Sequence, residues 1–470
     1  MLAPRLLLFL ISASLAAGGD WPRFRGPNAS GLAEGPLPAN LDPQTAAWRR
    51  PLPPGSSSPV IVGDRLYLTG SEADELLTLA LDRSSGEVLW RRGIHRERAE
   101  TLHQLNNPAS ATPAADSSGV YTFFGDFGLI AYSPEGDELW RRPLGPFSNL
   151  HGMASSPVLV GDKLIVLCDQ DVDAYLLAVD KSSGETLWRT ERPEAVHGFA
   201  TPTVFRPRGE RPQIIIPGSY RLASYDAETG ERLWSVRGIT WQVKTTAVVD
   251  EDTVYVAAWA PGADAGARRF FPPFEEVLAK ADSDGDGKMT ADEVPEEMRH
   301  TGSWKAIDLD ADGYLGARDW GFYRARWSSS NTATAVRPGG ARGDLTDSHV
   351  VWTYERSIPV VPSPLLYEGL LYLIKDGGVL TALDAATGDV ARQGRVREAI
   401  DKYYASPIAG DGKVYLFSES GKAVTLSAGR EWETLAVADF GEPIYATPAA
   451  IDGVMYLRTA SALYAFPGPR

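Results

Sequence analysis

The chain has 470 residues and a formal net charge of −15, with 46 Lys and Arg against 61 Asp and Glu. Such an acidic chain repels phosphate backbones, so the composition argues against a nucleic-acid-binding protein. Apolar residues make up 43% of the chain, which excludes general disorder. Cys168 is the one cysteine, so no intrachain disulfide can form.

The first 18 residues have the pattern of a secretory signal peptide. Arg5 precedes an apolar stretch from Leu6 to Leu15, and small residues follow at positions 16–18. This stretch is too short to cross a bilayer comfortably, and no later window is long and apolar enough. We therefore predict cleavage after residues 1–18, a secreted or periplasmic location and no membrane span. A buried N-terminal helix is the alternative.

One phrase recurs eight times along the rest of the chain. A small or hydroxyl residue comes first, then usually Pro, and alternating apolar residues follow, as in SSPVIVGDRLYLTG and SSPVLVGDKLIVLC. The residue after this hydroxyl position falls at 59, 113, 157, 202, 247, 364, 407 and 448. Most steps are 41–45 residues, the length of a four-stranded propeller blade. The step of 117 residues indicates an insertion of roughly 72 residues in the fifth blade.

A second phrase closes most repeats, as in LDRSSGEVLW and VDKSSGETLW. Its Asp can accept hydrogen bonds from the backbone of a turn, and its Gly can adopt the left-handed conformation that closes a hairpin. The Trp that follows recurs once per blade. It is therefore predicted to pack between neighbouring blades rather than to bind a ligand.

The eighth repeat lacks this closing phrase, and the segment AAWRRPL around Trp48 resembles the missing outer strand. Pairing of the two chain ends would remove the exposed edges of an open ring. We thus predict an all-β fold, an eight-bladed propeller of four-stranded antiparallel blades closed by an N-terminal strand. Residues 19–260 form its first part (blades 1–5), 261–329 a small α-helical insertion, and 330–470 its second part (blades 5–8).

The repeats x-[ST]-P…VY…LDxxTGExLW cover nearly the whole mature chain. They resemble the pyrroloquinoline-quinone-like (quinoprotein alcohol dehydrogenase-like) β-propellers, and the segment WPRFRGPNASG resembles the lead-in of secreted bacterial members. The resemblance implies an eight-bladed propeller. It does not indicate which activity the chain has, because that superfamily contains both dehydrogenases and non-catalytic scaffolds.

The insertion carries much of the acidity, with 13 acids and 5 bases between Glu275 and Asp319. Its segment DSDGDGKMTADE, residues 282–293, matches the EF-hand loop D-x-[DN]-x-[DN]-G-x5-E. The predicted calcium ligands of this first loop are Asp282, Asp284, Asp286, the backbone carbonyl of Lys288, and Glu293. The segments FEEVLAKA before the loop and DEVPEEMRH after it are predicted helices.

A second loop, DLDADGYLGARD, spans residues 308–319. Its predicted ligands are Asp308, Asp310, Asp312, the backbone carbonyl of Tyr314, and Asp319. The shorter Asp319 at position 12 favours weaker binding than a Glu would give. We expect one or two Ca²⁺ ions to bind. Met289 and Leu315 occupy position 8 of their loops and are predicted to pair with each other. A solvated acidic loop that binds nothing is the alternative.

Residues just before the first strand of a blade often face the central channel of a propeller. The predicted channel residues are His151, His197, Lys244, Tyr404 and Tyr445, with Arg221, Lys375 and Asp376 reaching the same mouth from the ends of inner strands. They suggest a site for a small ligand or a peptide. The alternative is that they are structural residues whose hydrogen bonds are satisfied within the protein. The segment 91–107 could form a small helix or lid over one face, or a charged loop.

We assign no catalytic residues. The leading hypothesis is a secreted calcium-binding propeller that acts as a binding or scaffolding module, with a protein, peptide or small ligand at the propeller face. The rival is a quinone-dependent dehydrogenase of reduced type. Bound pyrroloquinoline quinone is not expected, because the vicinal disulfide of many such enzymes is impossible with one cysteine. A propeller lyase or hydrolase with an unrecognised site is the third hypothesis.

Overall fold

The computed structural model describes residues 19–264, 266–299 and 304–469, so the predicted signal peptide lies outside the described residues. Eight antiparallel sheets are arranged around a central channel, and the innermost strands of neighbouring blades contact one another. From the innermost to the outermost strand, blade 1 consists of Val60–Val62, Arg65–Glu72, Glu75–Asp82 and Val88–His95; blade 2 of Ala114–Asp116, Gly119–Phe124, Gly128–Tyr132 and Glu138–Pro143; blade 3 of Val158–Val160, Lys163–Cys168, Tyr175–Asp180 and Thr186–Glu191; and blade 4 of Thr203–Phe205, Gln213–Gly218, Arg221–Asp226 and Arg232–Arg237.

The second half of the ring repeats this order and confirms the predicted eight blades. Blade 5 consists of Val248–Val249, Val254–Ala258, Thr332–Val336 and Val350–Tyr354; blade 6 of Leu365–Tyr367, Leu370–Lys375, Val379–Asp384 and Val390–Arg395; blade 7 of Ile408–Gly410, Lys413–Phe417, Lys422–Ser427 and Thr434–Asp439; and blade 8 of Ala449–Ile451, Val454–Arg458, Ala462–Pro467 and Trp48–Pro51. A short strand, Gly343–Asp344, adds in parallel to the outer edge of blade 4.

The ring closes as predicted, because the N-terminal strand Trp48–Pro51 pairs antiparallel with Ala462–Pro467, the last strand of the chain. Buried side chains fill the spaces between blades. One cluster, for example, joins Tyr67 of blade 1 to Ile130 of blade 2. Each blade is therefore stabilised chiefly by its two neighbours.

The recurring Trp packs between blades, as predicted. Trp140 lies on the outer strand of blade 2. Its indole N–H donates to the carbonyl of Lys181 in blade 3 at 2.9 Å. The same contact is made by Trp48, Trp90, Trp188 and Trp352. The Asp of each turn also behaves as predicted: Asp180 accepts hydrogen bonds from the backbone of Ser182 and Ser183.

Gly184 illustrates why the turn needs glycine. Its φ is +73°, and a Cβ placed there would lie 2.7 Å from the Trp140 ring. We expect Gly184→Ala to destabilise the protein by about 1–3 kcal/mol through overpacking, in addition to the cost of the left-handed backbone. Gly161 of the same blade is the control, because its φ is +63° and nothing lies within 4 Å of a Cβ there. Urea unfolding of both variants measures the difference; equal losses would contradict the packing argument.

The insertion leaves blade 5 between its second and third strands. It contains two α-helices, Phe274–Ala281 and Ala317–Ser328; the 3-10 helices of the described chain are Pro27–Ala29, Pro43–Thr45, Glu296–Met298, Trp304–Ala306 and Arg397–Ala399. The predicted helix over DEVPEEMRH is wrong. Only the short turn Glu296–Met298 forms there, because Pro295 has no N–H to donate to a continuous helix.

No helix in the described ranges combines the length and the hydropathy that crossing a membrane requires.

Candidate functional site

One end of the channel is closed by the N-terminal plug, which we define as residues 20–37. Trp21 and Ile61 of blade 1 exchange backbone hydrogen bonds at 2.8 Å, and Gly31 and Ala33 bond Ala409 of blade 7. The amide side chain of Asn28 bonds both the N–H and the carbonyl of Val204 in blade 4. The plug thus ties distant blades together and turns the channel into a cup that is open at one end.

The hydroxyl residues of the repeated phrase form a belt around the wall of the cup. From Ser58 to Ser406, each backbone N–H donates to the side-chain oxygen of the equivalent residue in the next blade, at distances of 2.9–3.2 Å. The belt runs in order through Ser58, Thr112, Ser156, Thr201, Thr246, Ser363, Ser406 and Thr447. These bonds satisfy buried backbone groups where innermost strands begin, which explains why Ser or Thr recurs there.

The cup encloses a cavity of about 460 Å³, a volume in the range of small-molecule sites. Phe24 of the plug contributes to its lining, together with belt residues and side chains near the mouth. Four of the predicted channel residues line it: His151, Lys244, Tyr404 and Tyr445. The rings of Tyr404 and Tyr445 meet edge to face, with centroids 5.6 Å apart.

Lys244 is the cation of the cup. Its Nζ lies 3.5 Å from the carbonyls of Gln242 and Trp259, and 5.6 Å from the centre of the Trp259 ring. Burial lowers the pKa of the Lys244 amine to about 8. No acidic residue lines the cavity in the part of the chain that the structure describes. The cup therefore favours a neutral or anionic ligand over a cationic one.

His151 faces the cavity, whereas His197 lies behind it. The two rings are perpendicular, with centroids 5.6 Å apart. His197 is buried, and its Nδ1 lies 2.5 Å from a carboxylate oxygen of Asp171. Burial, followed by the nearby His197, lowers the pKa of His151 to about 4. His151 is consequently neutral near pH 7 and offers the cup a hydrogen-bonding group without charge.

The other predicted channel residues lie elsewhere. Arg221 lines a separate groove beside Asp226 on blade 4. Neither Lys375 nor Asp376 lines the cavity, and the carboxylate of Asp376 instead accepts the N–H of Tyr403 at 3.0 Å. Side chains near a channel mouth can turn toward the blade or toward the channel, and the repeat pattern does not distinguish these directions.

Several lining residues were not predicted. Phe24 belongs to the plug, Trp259 follows an inner strand of blade 5, and His103 with Asn106 lies on the segment between blades 1 and 2. That segment is a loop rather than a helix, and it covers one side of the cup. The extra length of the first blade step was the one available signal for it.

In the first acidic loop, oxygens of Asp282, Asp284 and Glu293 lie within 4.8 Å of one another. The N–H groups of Gly285 and Gly287 donate to Asp282, at 2.7 and 3.0 Å. Asp286 accepts the N–H of Lys288 at 2.8 Å. Backbone donors thus curl the loop around its own carboxylates.

In the second loop, oxygens of Asp308, Asp310 and Asp312 form such a group, which contains position 5 of the loop where the first group contains position 12. Asp319 accepts the N–H groups of Leu309 and Gly316, at 3.3 and 2.9 Å. An antiparallel bridge joins Met289 to Leu315, as predicted for position 8 of paired loops. Both of these residues are fully buried in the core of the insertion.

The insertion is fixed to the propeller near the cup. Leu309 packs against Val196 and Trp241, and Arg318 donates to the carbonyl of Asp171 at 2.6 Å. The Arg326 guanidinium stacks 4.5 Å from the centre of the Trp241 ring. The second loop and its following helix are therefore held on blades 3–5 rather than projecting freely.

The model of the family described as outer membrane protein assembly factor BamB matches residues 125–262 and 320–465, more than half of the chain. The chain belongs to this family. The gap between the two matched segments, residues 263–319, contains both acidic loops.

A curated relative, outer membrane protein assembly factor BamB of Alkalilimnicola ehrlichii, is 30% identical over 140 residues. The match covers 29% of this chain and about a third (33%) of that relative's length.

Solved structures share the fold at low sequence identity. BamB from Moraxella catarrhalis has a TM-score of 0.56 and 14% identity, covering 90% of this chain and 97% of that one. A europium-containing methanol dehydrogenase has a TM-score of 0.59 and 10% identity, covering 96% and 98%. The quinohemoprotein alcohol dehydrogenase from Comamonas testosteroni has a TM-score of 0.56 and 14% identity, covering 96% and 81%. At such identities these likenesses concern the fold alone.

Proposed function

We propose that this BamB-family chain is a binding or scaffolding module of the cell envelope that carries calcium in its insertion. Export is supported by the signal-peptide pattern of residues 1–18, and a scaffolding role in outer membrane protein assembly by the family to which the chain belongs. The proposed surface for a protein, peptide or small ligand is the open mouth of the cup. The observation that carries the calcium part is the pair of bridged loops, each with three converging carboxylates.

The donors fit calcium. Carboxylate and carbonyl oxygens are the ligands that this hard cation prefers, and the first loop follows the EF-hand spacing throughout. Carboxylates held this close repel one another, and a bound divalent cation would offset that repulsion. The ammonium of Lys288 already lies 3.1 Å from a carboxylate oxygen of Asp312, so a cation partly compensates the second group.

We assign calcium a structural role. The second loop is pinned to the propeller through Leu309 and Arg318, and bound calcium would stiffen the loop that presents them. Extracellular calcium modules commonly bind in this way, for rigidity rather than for signalling. The chain would then use the ion to hold the insertion against the face that carries the cup.

Calorimetric titration with Ca²⁺ tests the proposal. The wild-type protein is expected to bind one or two ions, and Asp282→Ala with Glu293→Ala is expected to abolish the tighter site because two converging carboxylates are lost. Glu296→Ala with Glu297→Ala is the matched control, since it removes the same charge from exposed residues just after the loop. Unchanged binding in the loop variant would refute the assignment.

The dehydrogenase hypothesis does not gain support from the cup. No described residue that lines it is acidic, so it offers no carboxylate as a proton acceptor or metal ligand. The cysteine at 168 is buried within a strand of blade 3. A bound chromophore after incubation with pyrroloquinoline quinone, together with dye reduction by alcohols or sugars, would reverse this conclusion.

A further inference from the structure

A second cavity lies between the plug and the inner parts of blades 2, 3 and 4. It has a volume of about 120 Å³, the share of liquid that about four water molecules occupy. The plug and blades 2, 3 and 4 form its walls. The lining residues are Pro22, Arg23, Asn28, Ala115, Leu159, Val204 and Arg206.

The charges of this plug cavity are uncompensated. Arg23 and Arg206 both line it, and among the described residues no Asp or Glu does. Arg23 is only 5% exposed, so its guanidinium is largely withdrawn from water. Two cations that face one small cavity without a counter-charge are costly, unless an anion enters between them.

The Arg23 side chain is held in place. One of its terminal nitrogens donates to the side-chain oxygen of Asn28 at 2.8 Å. The amide of Asn28 also donates to the carbonyl of Val204 and accepts the N–H of the same residue, so Asn28 has little freedom to move. A guanidinium has five N–H donors in a planar fork, so most of those on Arg23 stay available to a ligand.

Arg206 approaches from the other wall. It directly follows the innermost strand Thr203–Phe205 of blade 4 and is exposed. Burial, followed by repulsion from Arg206, lowers the pKa of the Arg23 guanidinium to about 9. A fixed, buried arginine and an exposed, adjustable one form an open clamp around the cavity.

We propose that the plug cavity binds an oxyanion, a phosphate or sulfate group, between Arg23 and Arg206. Guanidinium groups bind such oxygens through paired, charge-assisted hydrogen bonds, and the cavity has room for one group of this size. The bound anion would also strengthen the plug, because it bridges the N-terminal segment to blade 4. This site goes beyond the calcium loops and the cup, and depends on neither.

Calorimetry with inorganic phosphate and with sulfate, on the full chain in buffer of low ionic strength, tests this site. We expect Arg206→Ala to weaken binding about tenfold or more, the equivalent of about 1.4 kcal/mol, with little change in melting temperature. Arg208→Ala is the matched control, since that residue is an exposed arginine two positions away that does not line the cavity. It should alter binding by less than about twofold, because exposed charges outside a site contribute little.

A second arm distinguishes a free anion from a lipid headgroup. Vesicles of phosphatidylglycerol in phosphatidylcholine are sedimented with each variant. Loss of co-sedimentation in Arg206→Ala but not in Arg208→Ala would place the phosphate on a lipid, whereas loss of phosphate binding alone would indicate a free anion. Either result supports the clamp.

Arg206→Glu adds a measurement that does not need a ligand. A carboxylate beside Arg23 replaces repulsion by attraction, so this variant should lose phosphate binding while its melting temperature stays equal or rises. The proposal is overturned if phosphate and sulfate do not bind, or if Arg206→Ala binds them as the wild type does.

Discussion

Replacement of residues 46–52 by a Gly–Ser linker of equal length is expected to lower the melting temperature strongly, at a cost of at least about 3 kcal/mol. The replaced segment supplies the outer strand of blade 8, which pairs with the last strand of the chain. Trp48 packs on the Gly86 turn of blade 1 and donates to the carbonyl of Arg83. Its loss would expose a strand edge and open the contact between the first and last blades.

Trp48→Ala and Trp48→Phe separate the two contributions in the same assay. The alanine variant loses the ring that spans blades 8 and 1, while the phenylalanine variant keeps an apolar ring and should lose less. Both retain the backbone pairing of the strand. A linker variant as stable as the wild type would show that the propeller does not depend on this closure.

Asp169→Ala is expected to cost about 3–5 kcal/mol, because it leaves Arg192 charged and buried. The two side chains are 1% and 2% exposed and form a two-pronged ion pair, with N–O distances of 2.6 and 2.9 Å. Arg192 also donates to the hydroxyl of Tyr225 in blade 4, so the pair joins neighbouring blades. Loss of one partner is costly where water cannot replace it.

Urea unfolding at neutral pH measures this cost, with Glu191→Ala as the control. Glu191 pairs with Arg189 on the same blade, but those side chains are 60% and 44% exposed, so the expected loss is about 1 kcal/mol or less. Asp169→Ala combined with Arg192→Met should recover much of the loss, since no buried charge then remains unpaired. Similar losses in Asp169→Ala and Glu191→Ala would contradict the argument.

Much of the fold was predictable because each repeat contains the residues that determine its turns and its contacts with the next blade. The turn Asp and Gly, the Trp between blades and the hydroxyl residue before Pro recur at one spacing, so a single repeat could be interpreted eight times. Closure by Trp48 followed from the incomplete last repeat. The bridge between Met289 and Leu315 followed from the loop positions, which depend only on short-range spacing.

The errors concern a segment inside the insertion and a side chain at the end of a blade strand. Pro295 ended a predicted helix, and Arg221 turned toward a groove on blade 4 rather than toward the cup. The plug was not predicted, although its residues were visible, because its partners in blades 1, 4 and 7 are far away in the chain.

The sequence by itself determined the number of blades, their closure, the blade that carries the insertion and the candidate calcium ligands, since all of these depend on short motifs and on the spacing between them. The tertiary structure alone decided that the channel is a cup, that His151 faces it while His197 lies behind, and that Arg23 and Arg206 share a second cavity. Those arrangements depend on which side chains from distant blades point into the same space. Their cause is packing between segments that no local pattern connects.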